Sequence, residues 1–213
     1  MVKPIFVKLA INLNALISQD ASAHPLSVEE FQHALKLFPK ARSPSDTQEM
    51  NRAWRSGLAN HPVTQISGAD AAAYCKWIGG RLPTTDEWEV AARAGSLTRW
   101  PWGDNFDIHR ANTWNGGDHR RNTREDGWVY TSPVRSFAPN SWGLYDVIGN
   151  VFEYCTASSL QFSGQESHRL IFGRGGSWWC SAGTCNYFNL EDIGSMDRHG
   201  SLGNQGFRVV FEK

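Results

Sequence analysis

Several features that would restrict the function of this 213-residue chain are absent from its sequence. Lysine plus arginine and aspartate plus glutamate both number 21, so the zero net charge favours neither nucleic acid nor anionic membrane as a partner. No apolar run is long enough to cross a bilayer, and we predict no membrane span. The partly apolar start is interrupted by Lys8, which predicts a strand rather than a signal peptide.

Cysteine is also scarce, and its four positions are too sparse for a disulfide framework. The seven histidines lack the helical spacing of a zinc site, and no glycine-rich phosphate loop is present. The densest basic segment, residues 119–124 (HRRNTR), fits a solvated loop or a site for phosphate or an acidic partner.

Aromatic residues, in contrast, are abundant, with 10 Trp, 11 Phe and 5 Tyr. Because a buried indole N–H needs a hydrogen-bond partner, this composition predicts a core built on large rings with irregular loops around it.

Capping boxes predict two helices in the middle of the chain, beginning after Ser67 and Thr84 and ending at the glycines of positions 79–80 and 95. A further helix is predicted over residues 25–37. From Trp100 to Gly143 there is little periodicity, and a loop of that length needs something other than a sheet to hold it. Strands are predicted within 144–154, 170–178 and 206–212.

A series of short segments, taken in order, carries a family resemblance. The segments are 61–63 (HPV), 69–77 (ADAAAYCKW), 80–84 (GRLPT), 100–103 (WPWG), 111–114 (ANTW), 142–146 (WGLYD), 149–154 (GNVFEY), 175–178 (GGSW) and 206–209 (GFRV). As an ordered set they resemble the formylglycine-generating enzyme, or sulfatase-modifying factor, family. The resemblance covers about residues 55–213 of a single domain, preceded by a divergent, shortened part over 1–54. It implies an α+β variant of the C-type lectin fold, with low regular secondary structure and two calcium-stabilised loops.

The resemblance also implies the ligands of the two calcium ions, a metal that takes oxygen donors. The first site matches the side chains of Asn112 and Asp126 with the carbonyls of Thr113 and Trp128. The second matches the side chains of Asp146 and Glu153 with the carbonyls of Gly149 and Val151. The alternative interpretation is that these Asn and Asp side chains only stabilise turns.

Two cysteines follow the GGS segment in the register of the family's catalytic members. Cys180 lies three residues after Ser177, and Cys185 lies eight residues after it. Thiolates suit Cu(I), and the resemblance implies that this pair holds copper while dioxygen oxidises a substrate cysteine to formylglycine. Ser177 and Asn204 match positions that line the family's pocket.

Other interpretations of this pair remain open, because it fits a structural disulfide or two small buried side chains as well. The sequence also departs from the enzyme pattern: Ser181 follows Cys180, and no arginine occurs between Cys185 and Arg198. Cys75 matches a half-cystine of the family, but Val209 stands at the partner position, so we predict no bridge there.

The sequence therefore leaves three possible functions open. The first is a formylglycine-generating oxidase acting on a protein or peptide cysteine. The second is a non-catalytic accessory or regulatory scaffold of a bacterial secretion or envelope system. The third is a ligand-binding variable protein of a diversity-generating system, since the aromatic and polar residues after Trp178 resemble a binding surface. Calcium sites of this kind suit the periplasm or the extracellular space, where we expect the mature protein.

Overall fold

The computed structural model describes residues 58–158, 169–181 and 188–211. Within them lie two helices and four short strands, here numbered in chain order. They are α1 (Gly68–Trp77), α2 (Thr85–Arg93), β1 (Phe152–Cys155), β2 (Leu170–Arg174), β3 (Gly194–Asp197) and β4 (Gln205–Gly206). The strand predicted at the start of the chain and the helix predicted over 25–37 lie outside the described residues.

Both helices begin at the residues that the capping boxes predict. The Ser67 side chain accepts a hydrogen bond from the Asp70 amide at 3.1 Å, and Thr84 accepts one from Glu87 at 3.2 Å. Each acidic side chain in turn accepts from the amide of its capping residue. At the end of α2 the left-handed cap begins at Ala94, with φ 48°, one residue before the predicted glycine.

The strands form one mixed sheet in the order β3-β2-β1-β4. β1 and β2 pair antiparallel, with Tyr154 opposite Gly173, and β2 and β3 also pair antiparallel, with Phe172 opposite Ser195. β4 lies parallel to β1. The sheet therefore brings the late part of the chain, with its glycine-rich segment and its end, beside the segment 149–155.

The strand predictions need correction in three places. Residues 144–151 are not a strand, because Asp146, Gly149 and Asn150 have φ values of 54°, 76° and 60°, which extended backbone does not allow. The strand predicted over 170–178 ends at Arg174. The final predicted strand is reduced to β4 and an isolated bridge between Arg81 and Val210, while β3 was not predicted.

Two clusters of buried side chains form the core, one with each helix. Ala71 and Tyr74 of α1 pack with Ile171 of β2, whereas Trp88 of α2 packs with Phe172, the next residue of the same strand. Since neighbouring residues of a strand point to opposite faces, the sheet lies between the two helices. Cys75 is buried in the α1 cluster with Val209 and forms no disulfide, as the sequence predicts.

Between Arg93 and Phe152 the described chain contains no helix and no strand of more than a single bridge. This agrees with the weak periodicity of that stretch. No helix among the described residues has the length and apolar character needed to cross a membrane.

Candidate functional site

The structure brings three of the four predicted catalytic residues together at the segment that follows β2. The Ser177 Oγ atom lies 3.8 Å from the Cys180 Sγ atom, within hydrogen-bonding distance for sulfur. The Asn204 side-chain amide donates to the same Ser177 oxygen at 3.1 Å, although the two residues are 27 positions apart. The predicted fourth member, Cys185, lies in 182–187, outside the described residues.

Backbone hydrogen bonds fix this group from three sides. The Trp178 amide donates to the Asn150 carbonyl at 2.9 Å, and the Trp114 amide donates to the Cys180 carbonyl at 2.9 Å. The Phe152 amide donates to the Asn204 carbonyl at 2.8 Å. The candidate site is therefore built where the loop after α2, the start of β1 and the segment before β4 meet.

The group is enclosed, since both Ser177 and Cys180 have 0% exposure. The Ser177 oxygen accepts from two donors, the Asn204 side chain and the Trp179 amide at 3.3 Å. A hydroxyl oxygen has two lone pairs, so both are used and the hydroxyl proton remains available to the sulfur of Cys180. Sequence reasoning placed Ser177 in the pocket but did not predict this orientation.

The four residues of the first predicted calcium site also lie together. The Asp126 carboxylate accepts from the amides of Thr113 and Trp128 at 2.8 Å and 2.9 Å. Burial raises the pKa of the Asp126 carboxyl above its usual value, against these hydrogen bonds. Asn112 donates through its amide to the Tyr130 carbonyl at 2.9 Å, but its buried Oδ1 atom has no hydrogen-bond partner among the described residues.

The second predicted calcium site places Asp146 near Glu153. Burial raises the pKa of Asp146 to about 6, and the negative charge of Glu153 adds to the rise. The hydrogen bond from the Arg135 amide and the charge of Arg208 oppose this rise in pKa. The Asp146 Oδ2 atom accepts from the Arg135 amide at 2.7 Å, whereas its buried Oδ1 atom has no partner among the described residues.

Glu153 is more fully occupied than its predicted role suggests. Its carboxylate accepts from the Trp88 indole at 2.6 Å and from two nitrogens of Arg208. All three side chains are buried. The Oε2 atom accepts two of these bonds and the Oε1 atom accepts one. Since a carboxylate oxygen has two lone pairs, Oε1 keeps one that could take a cation as an additional partner.

Both orphaned oxygens fit calcium as a ligand. A buried acceptor without a partner carries a desolvation cost, and calcium coordinates amide and carboxylate oxygens of this kind. Among the described residues no group of three or more His, Cys, Asp and Glu side chains is placed to hold a metal. Any calcium site here would therefore depend on amide and carbonyl oxygens, as the predicted ligand sets do.

Asn150 connects the two predicted calcium sites, a role that sequence reasoning missed. A bridge joins Asn112 to Gly149, and the Asn150 amide donates to the Asn112 carbonyl at 2.8 Å. The buried Asn150 side chain forms hydrogen bonds with both backbone groups of Ser132, at 3.1 Å and 3.2 Å. The signal available in the sequence was the Gly-Asn pair itself, because both residue types tolerate left-handed backbone.

The fold and the site together define an α+β domain with few helices, one small sheet and long loops that converge on a buried serine–cysteine pair. The sequence model of one family, the sulfatase-modifying factor enzyme 1-like domain, matches residues 19–213. The chain belongs to this family.

Curated relatives include proteins named as formylglycine-generating enzymes and proteins named as inactive forms of that enzyme. The chain is 39% identical over 168 residues to a formylglycine-generating enzyme of Thermomonospora curvata, covering 71% of this chain and 55% of that protein. It is 46% identical over 129 residues to the inactive Cα-formylglycine-generating enzyme 2 of Mus musculus, covering 59% and 41%. The chain thus spans about half the length of the curated relatives it matches.

Solved structures support the fold. The structure of PvdO from Pseudomonas aeruginosa superposes with a TM-score of 0.63 over 87% of this chain and 77% of the other, at 24% identity. At that identity the likeness concerns the fold alone.

Proposed function

We propose that this domain oxidises a cysteine side chain of a protein or peptide substrate to formylglycine, with Cys180 and Cys185 as ligands of Cu(I). The observation that carries the proposal is the hydrogen-bonded group of Ser177, Cys180 and Asn204 in a chain of this family. Relatives named as formylglycine-generating enzymes support the same reaction.

The donor set suits the metal, since thiolate sulfur is the ligand that Cu(I) prefers. When bound, copper would supply a site for the substrate thiolate and for the reduction of dioxygen. In the reaction the substrate thiol and dioxygen, with a pair of electrons and two protons, give an aldehyde, hydrogen sulfide and water. The electrons must come from an external thiol reductant.

Ser177 and Asn204 serve this chemistry as positioning residues. Asn204 and the Trp179 amide occupy the lone pairs of the Ser177 oxygen, which directs its proton toward Cys180. A hydroxyl that donates to sulfur favours the thiolate form, the form that binds metal. Because the pair is buried, bulk water is kept away from the sulfur.

We also propose that calcium stabilises the two loops. Asn112 Oδ1 and Asp146 Oδ1 would each gain the partner that they lack among the described residues. The remaining ligands would be Asp126 with the carbonyls of Thr113 and Trp128, and Glu153 with the carbonyls of Gly149 and Val151. Calcium would also neutralise carboxylates whose ionised forms burial disfavours.

The oxidase proposal is tested by capture of the aldehyde product. Copper-loaded protein is incubated with a thiol reductant, oxygen and a pool of cysteine-containing peptides, and aldehydes are labelled with a hydrazide and identified by mass spectrometry. We expect labelled peptides with wild type and with Cys75→Ala, which changes a buried cysteine in the other core cluster. Cys180→Ser should abolish labelling. Equal labelling by Cys180→Ser and wild type would refute the proposal.

A second candidate is a non-catalytic accessory scaffold that binds a protein partner. The observation in its favour is the burial of Ser177 and Cys180, which both have 0% exposure. A relative named as an inactive Cα-formylglycine-generating enzyme also supports a non-catalytic role. If the scaffold is correct, the aldehyde assay stays blank under every copper loading, while a partner still co-purifies with both wild type and Cys180→Ser.

A further inference from the structure

A cluster of partly exposed rings lies on the surface beside the candidate site. We call it the aromatic surface, and its members are Trp114, His119, Tyr130, Trp178 and Trp179. Ring centroids lie 5.0 Å apart for Tyr130 and Trp178, 5.2 Å for Trp178 and Trp179, and 4.4 Å for Trp179 and His119. Trp114 contacts both Trp179 and His119, at 5.3 Å and 5.1 Å. The rings therefore form one continuous patch.

Three of these rings have polar atoms that are already hydrogen-bonded within the protein. The Trp178 indole donates to the Gly203 carbonyl at 3.2 Å, and the Trp114 indole donates to the Asp118 carbonyl at 2.8 Å. His119 Nε2 donates to the Trp179 carbonyl at 2.7 Å. These bonds hold the three rings in place before any partner arrives, which lowers the entropic cost of binding.

Several of the exposed hydrophobic side chains lie in or next to the aromatic surface. Among the described residues six large hydrophobic side chains are exposed, and two of them, Tyr130 at 64% and Trp179 at 41%, belong to the aromatic surface. A third, Leu202, is next to the glycine that Trp178 contacts. Grouped exposed apolar side chains of this kind mark interaction sites, whereas scattered ones need no explanation.

An arginine-rich loop, residues 115–124, borders the aromatic surface. Its ends meet where Thr123 donates to the Asn115 carbonyl at 2.6 Å, and His119 near its middle packs on Trp179. Arg120, Arg121 and Arg124 are exposed. Only Arg120 has an acidic neighbour among the described residues, Asp118 at 3.7 Å, and that pair is solvent-exposed and weak.

The aromatic surface is continuous with the candidate site. Trp179 directly precedes Cys180 and donates its amide to Ser177, and Trp114 donates its amide to the Cys180 carbonyl. On the proposed function, a substrate cysteine that reaches Cys180 brings its flanking residues across these rings. Aromatic rings suit aromatic and proline side chains, and exposed arginines suit carboxylates.

We propose that the aromatic surface and its arginine-rich loop bind an acidic peptide segment carrying proline or tyrosine beside the target cysteine. This inference rests on the proposed function in taking the partner to be a peptide. The rings provide the anchor for its apolar side chains, and the arginines select carboxylates over ammonium groups. The peptide that this chain prefers is therefore acidic.

The test measures binding without catalysis. Three fluorescein-labelled peptides carry serine in place of the cysteine: one with Glu flanks and Tyr-Pro, one with Lys flanks and Tyr-Pro, and one with Glu flanks and alanines instead of Tyr-Pro. Fluorescence anisotropy is measured with copper-free protein at low and at high salt. We expect the first peptide to bind at least about tenfold more tightly than either of the others, and to weaken as salt rises.

Variants separate the two parts of the surface. Trp179→Ala should weaken binding of the first peptide about tenfold, whereas Trp142→Ala, which changes a side chain with the same 41% exposure, should leave it unchanged. The double change Arg120→Gln with Arg121→Gln alters only exposed side chains, so folding is unaffected; it should remove the preference for Glu over Lys flanks.

Several results would overturn the inference. Equal affinity for the Glu and Lys peptides would show that the arginines do not select carboxylates. Equal effects of Trp179→Ala and Trp142→Ala on affinity would show that the aromatic surface does not anchor the peptide. Binding of a sulfated oligosaccharide in preference to all three peptides would replace the peptide by a glycan. If acidic peptides bind preferentially but no aldehyde forms, this inference is supported and the oxidase proposal is refuted. If aldehyde forms but acidic peptides are not preferred, the oxidase proposal is supported and this inference is refuted.

Discussion

Glu153 binds two buried side chains, those of Arg208 and Trp88, so its substitution should strongly affect the core. Its side chain and that of Arg208 are 1% and 3% exposed, and the Trp88 indole donates to the same carboxylate. Arg208 also donates to the Tyr145 carbonyl at 3.1 Å. The pair therefore connects β1, α2 and the end of the chain around a charge that water does not reach.

Glu153→Gln should destabilise the protein strongly. Glutamine keeps the size of the side chain but leaves the buried Arg208 charge without its counter-ion, a change that costs about 3–5 kcal/mol in free energy of unfolding. Urea denaturation measures the loss. Glu125→Gln is the matched control, because Glu125 is exposed and its carboxylate accepts a hydrogen bond from the exposed Thr123, and its effect should stay within about 0.5 kcal/mol. Equal effects of the two substitutions would contradict this account.

His61 makes stability depend on pH. Burial lowers its pKa below 6.5, although a hydrogen bond at Thr131 opposes the shift. As pH falls through 6.5 the unfolded chain takes up a proton before the folded one does, so folding stability decreases until the folded pKa is passed. His61→Gln removes this contribution, and its melting temperature should fall less than that of wild type between about pH 7.5 and about pH 5. Identical dependence of the melting temperature on pH in wild type and His61→Gln would contradict this role of His61.

At the scale of elements, the contact between the two candidate calcium loops is the feature that orders the irregular part of the chain. The Asn112–Gly149 bridge joins residues 37 positions apart, and it continues through Asn150 to Ser132 and Trp178. A regular strand or helix could not continue through this connection, because Gly149 and Asn150 have left-handed backbone.

Gly149→Ala tests this connection. The residue has φ 76°, and an added Cβ would lie 2.2 Å from the Asn112 carbonyl oxygen, so the two loops must separate. We expect a loss of about 2–4 kcal/mol in calorimetry or urea denaturation. Gly143→Ala provides the control, since its φ of 83° is equally left-handed but no atom lies within 4 Å of the added Cβ. That substitution should cost only about 1 kcal/mol, and an equal cost at both positions would show that the loop contact is unimportant.

The sequence predicted elements whose signals are local and missed those set by distant partners. α1 and α2 begin where Ser67 and Thr84 cap them, because the capping residues lie within the same few positions. β3, in contrast, has the sequence Gly-Ser-Met-Asp, which lacks β-branched residues, and it is a strand only because β2 pairs with it. The same is true of the candidate site. The family resemblance identified Asn112 and Asp146 as predicted calcium ligands, but the contacts of Asn150 that connect the two loops could be identified only in the structure.

At the scale of the whole molecule, a domain with short strands must hold a long irregular loop by other means. The buried oxygens of Asn112 and Asp146, which have no partner among the described residues, both lie within that loop. An unpaired buried acceptor destabilises a fold. A cation bound at each position would remove that destabilisation and would also hold the loop in place. This is the physical reason to expect that calcium affects global stability.

Removal of calcium should lower the melting temperature. A ligand present at about a hundred times its dissociation constant contributes about 2.7 kcal/mol, which for a domain of this size corresponds to about 5–10 °C per site. Differential scanning calorimetry before and after dialysis against a chelator measures the difference. Calcium should restore the melting temperature, and magnesium should not, because it demands a smaller octahedral site. A melting curve unaffected by the chelator would refute both calcium sites.

The central claim is that Cys180 and Cys185 form one thiolate site for Cu(I) in this domain. Its most direct test is a titration of the reduced protein with Cu(I) against a competing chelator, for wild type, Cys180→Ser, Cys185→Ser and the control Cys75→Ala. We predict that wild type and Cys75→Ala bind one ion tightly and that each of the other two substitutions abolishes tight binding. Equal affinity of Cys180→Ser and wild type, or a disulfide between Cys180 and Cys185 that persists under reduction, would contradict the account.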